Sequence, residues 1–197
     1  MDDYDPLSQL ALTGLYDAVQ GYEQQIVMNR IWAMPNHNTF TIKPIYDLIS
    51  RHITKGLWLD PFSRNSPFSH LCITNDLNPS VDSDFHEEAL DFIKKFDTSS
   101  VDGIMFDPPY SPRQISECYK QVGRSVHMQD TQASFYGDRK REAARTIKIG
   151  GKALCFGWNS GGLGKRNGFD LVEILIVPHG GAHNDTICTV EVKTKSM

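Results

Sequence analysis

Residues 101–110 constrain this chain more than any other stretch. Val101, Ile104, Met105 and Phe106 belong to a short apolar run that reads as a buried strand, and it stops at Asp107-Pro108-Pro109-Tyr110. Two consecutive prolines remove two backbone donors and fix φ, so the chain must leave the sheet rigidly. A carboxylate, carbonyls without neighbouring N–H partners and an aromatic ring are then held at the carboxyl end of a strand. In open α/β sheets that is where ligands bind. The carboxylate of Asp107 and the carbonyl of Pro108 are both acceptors, and together they can take the two hydrogens of a planar amino group. An aromatic amine is a poor nucleophile because its lone pair is delocalised into the ring. Two fixed acceptors pull the nitrogen toward tetrahedral geometry and stabilise the positive charge that grows on it during attack.

The tetrapeptide resembles the catalytic motif of the amino-methyltransferases, which methylate exocyclic nitrogens of DNA bases. Asp in the first position is the form usual in adenine-N6 enzymes, whereas Ser is commoner in cytosine-N4 enzymes and Asn in those acting on glutamine or guanine. The resemblance implies S-adenosylmethionine as cofactor, duplex DNA as partner, a flipped-out target adenine, and Asp107, Pro108, Pro109 and Tyr110 as the catalytic set, with Tyr110 stacking on the base. The implied fold is α/β, a Rossmann-like class I S-adenosylmethionine-dependent methyltransferase with a mostly parallel sheet and a terminal antiparallel hairpin.

The same family pattern continues elsewhere. The polar loop around Thr39-Phe40, ahead of a helix that starts near Pro44, is similar to the family's motif over the methionine end of the cofactor, with Phe40 and Lys43 as candidates. Residues 56–60 read as a core strand ending in Asp60-Pro61-Phe62, followed by Ser63, Asn65 and Ser66. The strand and Asp-Pro-Phe match the family's cofactor loop. The glycines usual there are missing, and none occurs between Gly56 and Gly103. Residues 71–76 form a second apolar strand ending in an acid. In nucleoside-binding α/β folds such an acid takes the ribose hydroxyls, which assigns Asp76 to the ribose and Leu77 to the adenine ring. An acid before Ala89-Leu90 places Glu88 near the cofactor's adenine amino group. Glu88 is equally readable as a first-turn helix charge, and Asp76 as a turn cap.

Residues 111–141 read as a long polar loop, with a helix from Arg139 to Ile147 that ends at Gly150-Gly151. The segment is rich in basic residues, and Arg113, Arg124, Tyr136, Arg139 and Lys140 are candidates for nucleic-acid contact, joined by Lys165 and Arg166 further on. The competing reading of such a run is a solvated helix face. Lys152 to Gly162 reads as a strand with a glycine-rich exit that carries Asn159 and Ser160 toward Asp107. Residues 171–177 and 186–192 read as the closing hairpin. His179 and His183 in its loop have no third ligand and are separated by Gly180-Gly181, so no metal is expected.

With 197 residues and 40% hydrophobic content, the chain can build one full core. The net charge of −4 gives no global basic footprint, so nucleic-acid binding would need a local patch. The four cysteines have no metal-ligand spacing, and Cys72, Cys155 and Cys188 sit in apolar runs as small core residues. That suits a reducing cytoplasm, in a bacterium or a phage-infected host. No signal peptide or membrane span is expected. Residues 1–35 are expected as an N-terminal helical segment, with Leu7, Leu10, Leu12, Leu15, Val19 and Tyr22 at mixed three- and four-residue spacing. This helix would pack on the domain or on a second copy in a homodimer. Residues 36–197 are expected as the methyltransferase domain, compact and phage-like, without a separate target-recognition domain.

Overall fold

Hydrophobic strands joined by helical crossovers and a closing hairpin build one sheet. The chain is described from a computed structural model that covers residues 25–125, 133–181 and 183–196. Its strands are β1 (Val27–Arg30), β2 (Trp58–Asp60), β3 (Cys72–Thr74), β4 (Val101–Phe106), β5 (Ile147–Gly157), β6 (Phe169–Val177) and β7 (Thr186–Lys193). They lie in one seven-stranded sheet in the order β1-β6-β7-β5-β4-β2-β3. Pairing is parallel for β1–β6, β2–β3, β2–β4 and β4–β5. β7 runs antiparallel to both its neighbours, β5 and β6. Every strand except β7 therefore carries its carboxyl end to the same edge.

The helices are α1 (Lys43–His52), α2 (Ala89–Lys94), α3 (Pro112–Gln121) and α4 (Ala133–Thr146). One face of the sheet is closed by α1, whose Ile45, Leu48 and Ile49 pack with Trp58, Met105, Leu154 and Val190. On the other face, Phe92 and Ile93 of α2 and Ala143 and Ala144 of α4 pack with Leu59, Ile104, Phe106 and Ala153. Successive residues of β4 alternate between the two clusters: Ile104 and Phe106 in one, Met105 in the other, each at most 1% exposed. A strand covered on both faces has to be apolar throughout, and each such side chain contributes about 1.5–3 kcal/mol by burial.

Three expectations are corrected. Residues 27–30 form β1 at the sheet edge and not the tail of a helix; the helix expected over residues 6–22 lies outside the described residues. The polar segment 111–141 contains helices where a loop was expected. Ser111 caps α3 by accepting from the amide of Gln114, with Pro112 in the first turn, while Ile115 and Tyr119, one turn apart, are buried. Finally, α4 ends at Thr146, ahead of Gly150-Gly151. The buried Lys193 ammonium binds at this end, donating to Ala144 O of the last turn at 2.6 Å and to Ile147 O just beyond it at 2.7 Å. A cation at a helix carboxyl terminus satisfies both the orphan acceptors and the dipole. Gly150, at φ 82°, lies in the irregularity of β5 where Val101 pairs with Ile147 and Gly103 already pairs with Lys152.

Among the described residues, no helix is long and apolar enough to cross a membrane.

Gly103 ties β4 to β2 by close approach. A Cβ there would lie 2.5 Å from the Trp58 ring, and that ring is pinned by its Nε1–H donating to Thr54 O at 3.0 Å. Gly103→Ala is therefore expected to destabilise the chain by about 1–3 kcal/mol through overpacking, read as a lower denaturant midpoint with an unchanged slope. An unaltered midpoint would show that Trp58 can move aside.

Candidate functional site

Because six of the seven strands point the same way, their carboxyl ends meet at one edge, and a cavity of about 780 Å³ opens there. Its walls come from the segment before α1 (Asn36, His37, Thr39), the loop after β2 (Pro61, Phe62, Arg64, Asn65) and the turn after β3 (Asn75, Asp76, Leu77). Further wall comes from Asp107 to Tyr110 after β4, Trp158 after β5, the hairpin between β6 and β7 (His179, His183, Thr186), the entry of α2 at Glu88, and α3 at Gln114 and Cys118. The four residues of the Asp-Pro-Pro-Tyr motif thus line one cavity together with Asp76, Leu77 and Glu88.

Asp107 follows the last residue of β4, and the Tyr110 hydroxyl donates to its Oδ1. Loss of hydration in dense surroundings raises the Asp107 carboxyl above the ordinary range, while bonding from Tyr110 and Thr39 and the nearby charge of Arg64 oppose the rise. Burial, and then the Asp107 charge, push the Tyr110 phenol well up, so it stays a donor. The loop is braced from behind: Tyr110 N donates to Gln114 Oε1 at 2.7 Å, and the Tyr136 hydroxyl donates to Pro109 O. Trp158 lies beside Tyr110 with ring centroids 5.7 Å apart, and Gly157 keeps the space by the Tyr110 ring open.

The loop after β2 is anchored without glycine. Asp60 is fully buried; its Oδ1 accepts from Phe62 N at 3.3 Å, and burial raises its carboxyl well above the ordinary range. Asp60 Oδ2 and Ser63 Oγ are buried polar atoms without a partner among the described residues. Asn75, 1% exposed, donates to Pro61 O and Glu87 O and accepts from Glu87 N, tying this loop to the entry of α2. Asp76 accepts from Arg64 N at 3.0 Å and from Asn78 N at 2.8 Å.

Several expected contacts fall elsewhere. Phe40 is 2% exposed and packs on Phe156 with centroids 4.8 Å apart, so it is a core residue. Lys43 pairs with Asp47 on the outer side of α1. Asp60 and Ser63 lie beneath the loop, whereas Pro61, Phe62 and Asn65 line the cavity. Glu88 faces the cavity with its oxygens held by Arg124 at 3.3 Å and Arg139 at 3.0 Å. Arg139, 6% exposed, is thus buried against a carboxylate on the cavity wall. Arg113 pairs with Glu117 on α3, Lys140 lies within electrostatic range of buried Glu191, and Tyr136 braces Pro109. Lys165 and Arg166 precede β6 next to the end of β7, since Gly168 O accepts from Thr194 N. That is the sheet edge opposite Asp107. Asn159 turns back to accept from Gly161 N, and Trp158 takes the place on the cavity wall expected for Asn159 and Ser160.

Sequence reading missed Arg64 and Trp158, and gave Thr39 and His179 no contact of their own. Thr39 adjoins the noted Phe40, and the alternation of buried and exposed positions in a 3-10 turn decides which of the two faces the core. His179 bonds Ala33 O through Nδ1 and Thr186 Oγ1 through Nε2, each at 2.8 Å, fastening the segment before α1 to the hairpin. Among the described residues no group of three or more His, Cys, Asp or Glu is arranged to hold a metal ion.

No protein-family model matches the chain. No curated protein matches it either. Solved structures do. TrmN from Thermus thermophilus is similar with a TM-score of 0.51 and 18% identity over 77% of this chain and 49% of that one, so the chain spans about half the length of TrmN. A Burkholderia thailandensis 1,6-didemethyltoxoflavin-N1-methyltransferase, solved with 1,6-didemethyltoxoflavin and S-adenosylhomocysteine bound, is similar with a TM-score of 0.52 and 11% identity over 99% of this chain and 93% of that one.

Removing the Tyr110 hydroxyl takes away a bond that lowers the Asp107 pKa. Tyr110→Phe is therefore expected to raise the Asp107 carboxyl further, followed by carbon-13 NMR of the carboxyl against pH; a fall would contradict the assigned contact. The mixed sheet, with β7 alone reversed between β5 and β6, and the likeness to these structures establish the Rossmann-like fold of the S-adenosylmethionine-dependent methyltransferases.

Proposed function

We propose that the chain is an S-adenosylmethionine-dependent methyltransferase acting on the exocyclic N6 amino group of adenine in DNA. The observation that carries this reading is the placement of Asp107-Pro108-Pro109-Tyr110 at the end of β4, in one cavity with Asp76. The cofactor assignment is supported by the S-adenosylhomocysteine held by a protein of the same fold and by the cavity itself. Asp76 offers a ribose hydroxyl an acceptor beyond the two amides it already binds, and Phe62 and Leu77 give a purine apolar walls. The cofactor supplies an electrophilic methyl group.

The rest is done by the protein. Asp107 and the Pro108 carbonyl accept the two amino hydrogens of the adenine, which orients the nitrogen lone pair and stabilises positive charge as it develops. The Tyr110 hydroxyl holds the carboxylate in place, and the rings of Tyr110 and Trp158 give the base surfaces on which to stack. The proton released after transfer goes to Asp107 or to water. Extruding the base from a duplex costs a few kcal/mol, which stacking in the cavity offsets.

A second reading is the same chemistry on RNA or a free nucleotide. It is favoured by the pairing of Arg113, Arg124 and Arg139 with carboxylates and by the position of Lys165 and Arg166 at the far edge. These leave fewer cations near the cavity for a duplex backbone.

Transfer of labelled methyl from S-adenosylmethionine to mixed-sequence duplex DNA, RNA and adenosine monophosphate tests both readings. Label in DNA as N6-methyladenine, reduced about 100-fold or more in Asp107→Ala, is the expected result. Label only in RNA or the nucleotide would transfer the assignment to the second reading, and no transfer to any acceptor would sink the enzyme.

A further inference from the structure

We propose that Arg64 forms an oxyanion-binding subsite in this cavity, one that receives the carboxylate of the cofactor's amino-acid end. The proposal rests on the cofactor reading above and adds the residue that selects the ligand's anionic group.

Arg64 occupies the loop after β2, which has no glycine to bring backbone amides close to a ligand. Its own backbone is left-handed, with φ 43°, a conformation shared among the described non-glycine residues only by Ser99. Such a conformation is unfavourable for a long side chain and persists where surrounding contacts over-determine it. Here they do. Arg64 N donates to Asp76 Oδ2 at 3.0 Å, and the guanidinium Nη1 donates to His37 O at 2.9 Å. One residue along, Asn65 O accepts from Asn38 Nδ2 at 2.6 Å. The Arg64 side chain is thereby laid across the cavity from the β2 loop to the segment before α1.

The charge around it is mostly negative. Asp76, Glu87, Glu88, Asp107 and Glu117 line the cavity, against the arginines Arg64 and Arg139. Arg139 is engaged by Glu88. Arg64 has no carboxylate at ion-pair distance among the described residues; its guanidinium bonds the His37 carbonyl and the Cys118 thiol, and Asp107 lies within its electrostatic range. A guanidinium has five donors in a rigid fork suited to bidentate binding of a carboxylate. With bonds to His37 and Cys118 alone, donors of the fork remain for a ligand. Without this cation an anionic ligand group would meet a cavity of like charge. Lys43, whose sequence position suggested the role, is held by Asp47 outside the cavity. The side chain of Arg64 thus does what glycine-rich backbone does elsewhere.

The phosphate of a nucleotide acceptor offers the same oxyanion chemistry, so the test separates the two sources. Calorimetric titration of the full chain, and of Arg64→Gln and Arg64→Lys, would use three probes. These are S-adenosylhomocysteine, 5′-methylthioadenosine (the same nucleoside without the amino-acid end) and adenosine monophosphate. Circular dichroism would confirm that each variant is folded. The expected result is a loss of about 10- to 100-fold in S-adenosylhomocysteine affinity in Arg64→Gln, partial recovery in Arg64→Lys, and unchanged affinity for methylthioadenosine. Equal losses for both nucleosides would reduce Arg64 to a loop-shaping residue and overturn the proposal, as would no loss at all. A loss confined to adenosine monophosphate would assign the oxyanion to the acceptor, and the carboxylate subsite would fall. Failure of the unaltered chain to bind either nucleoside would remove the cofactor reading and the subsite with it.

Discussion

The site depends on β4 being packed between β2 and β5 in parallel register and covered on both faces. A strand held from four sides has no freedom at its end, and the two prolines that follow transmit that rigidity to Asp107. The Gly103–Trp58 contact brings β2 close, so the loop after β2 and the turn after β3 converge on the same carboxylate. Preorganisation is thus built from hydrophobic packing several residues away, which is where a low-cost and inflexible support for polar chemistry has to come from.

Around this rigid centre the chain places buried charge in a consistent way. Asp60 and Asp107 both lie where hydration is lost and are both raised, Asp60 partly by Asp107 itself. Glu88 gathers two arginines. Further along, Glu191 accepts from the amides of Leu163 and Gly164, holding the return from β5, and Lys193 closes α4. Glu88, Glu191 and Lys193 are satisfied by backbone groups or an opposite charge, as burial demands, whereas Asp60 Oδ2 has no partner among the described residues. The cavity is left with an acidic wall and Arg64 against it.

The hairpin and the first strand act on the site from a distance. β1 extends the sheet beyond β6, so the chain leaving β1 runs along the carboxyl edge and becomes a cavity wall at Asn36, His37 and Thr39. His179 locks that wall to the hairpin with bonds to Ala33 and Thr186. His52 and Arg51 on Glu173 fix α1 to β6. The order of the elements therefore has a functional result: the last hairpin and the first strand close the cavity that the central strands open.

The sequence by itself determined the fold class, through the family resemblance of its motifs, and also the carboxyl-edge position of Asp107-Pro108-Pro109-Tyr110, the strand-end positions that bring Pro61, Phe62, Asp76 and Leu77 to the cavity wall, and the closing hairpin. These rest on local chemistry: apolar runs that need burial on both faces, proline stops, and an acid at a strand end. Only the tertiary structure decided which charged residues face the cavity. Glu88 and Arg139 meet across 51 residues, and no local pattern announces such a pair. Lys165 and Arg166 were legible as a basic turn, but the edge they occupy follows from the direction of β6. Phe40 and Thr39 are adjacent, and packing on Phe156 settled which one turns inward to the core. Arg64 was overlooked because a lone arginine in a polar loop carries no periodic signal. Its φ, its bonds to Asp76 and His37, and the lack of a carboxylate partner among the described residues arise only when three separate segments are brought to one edge.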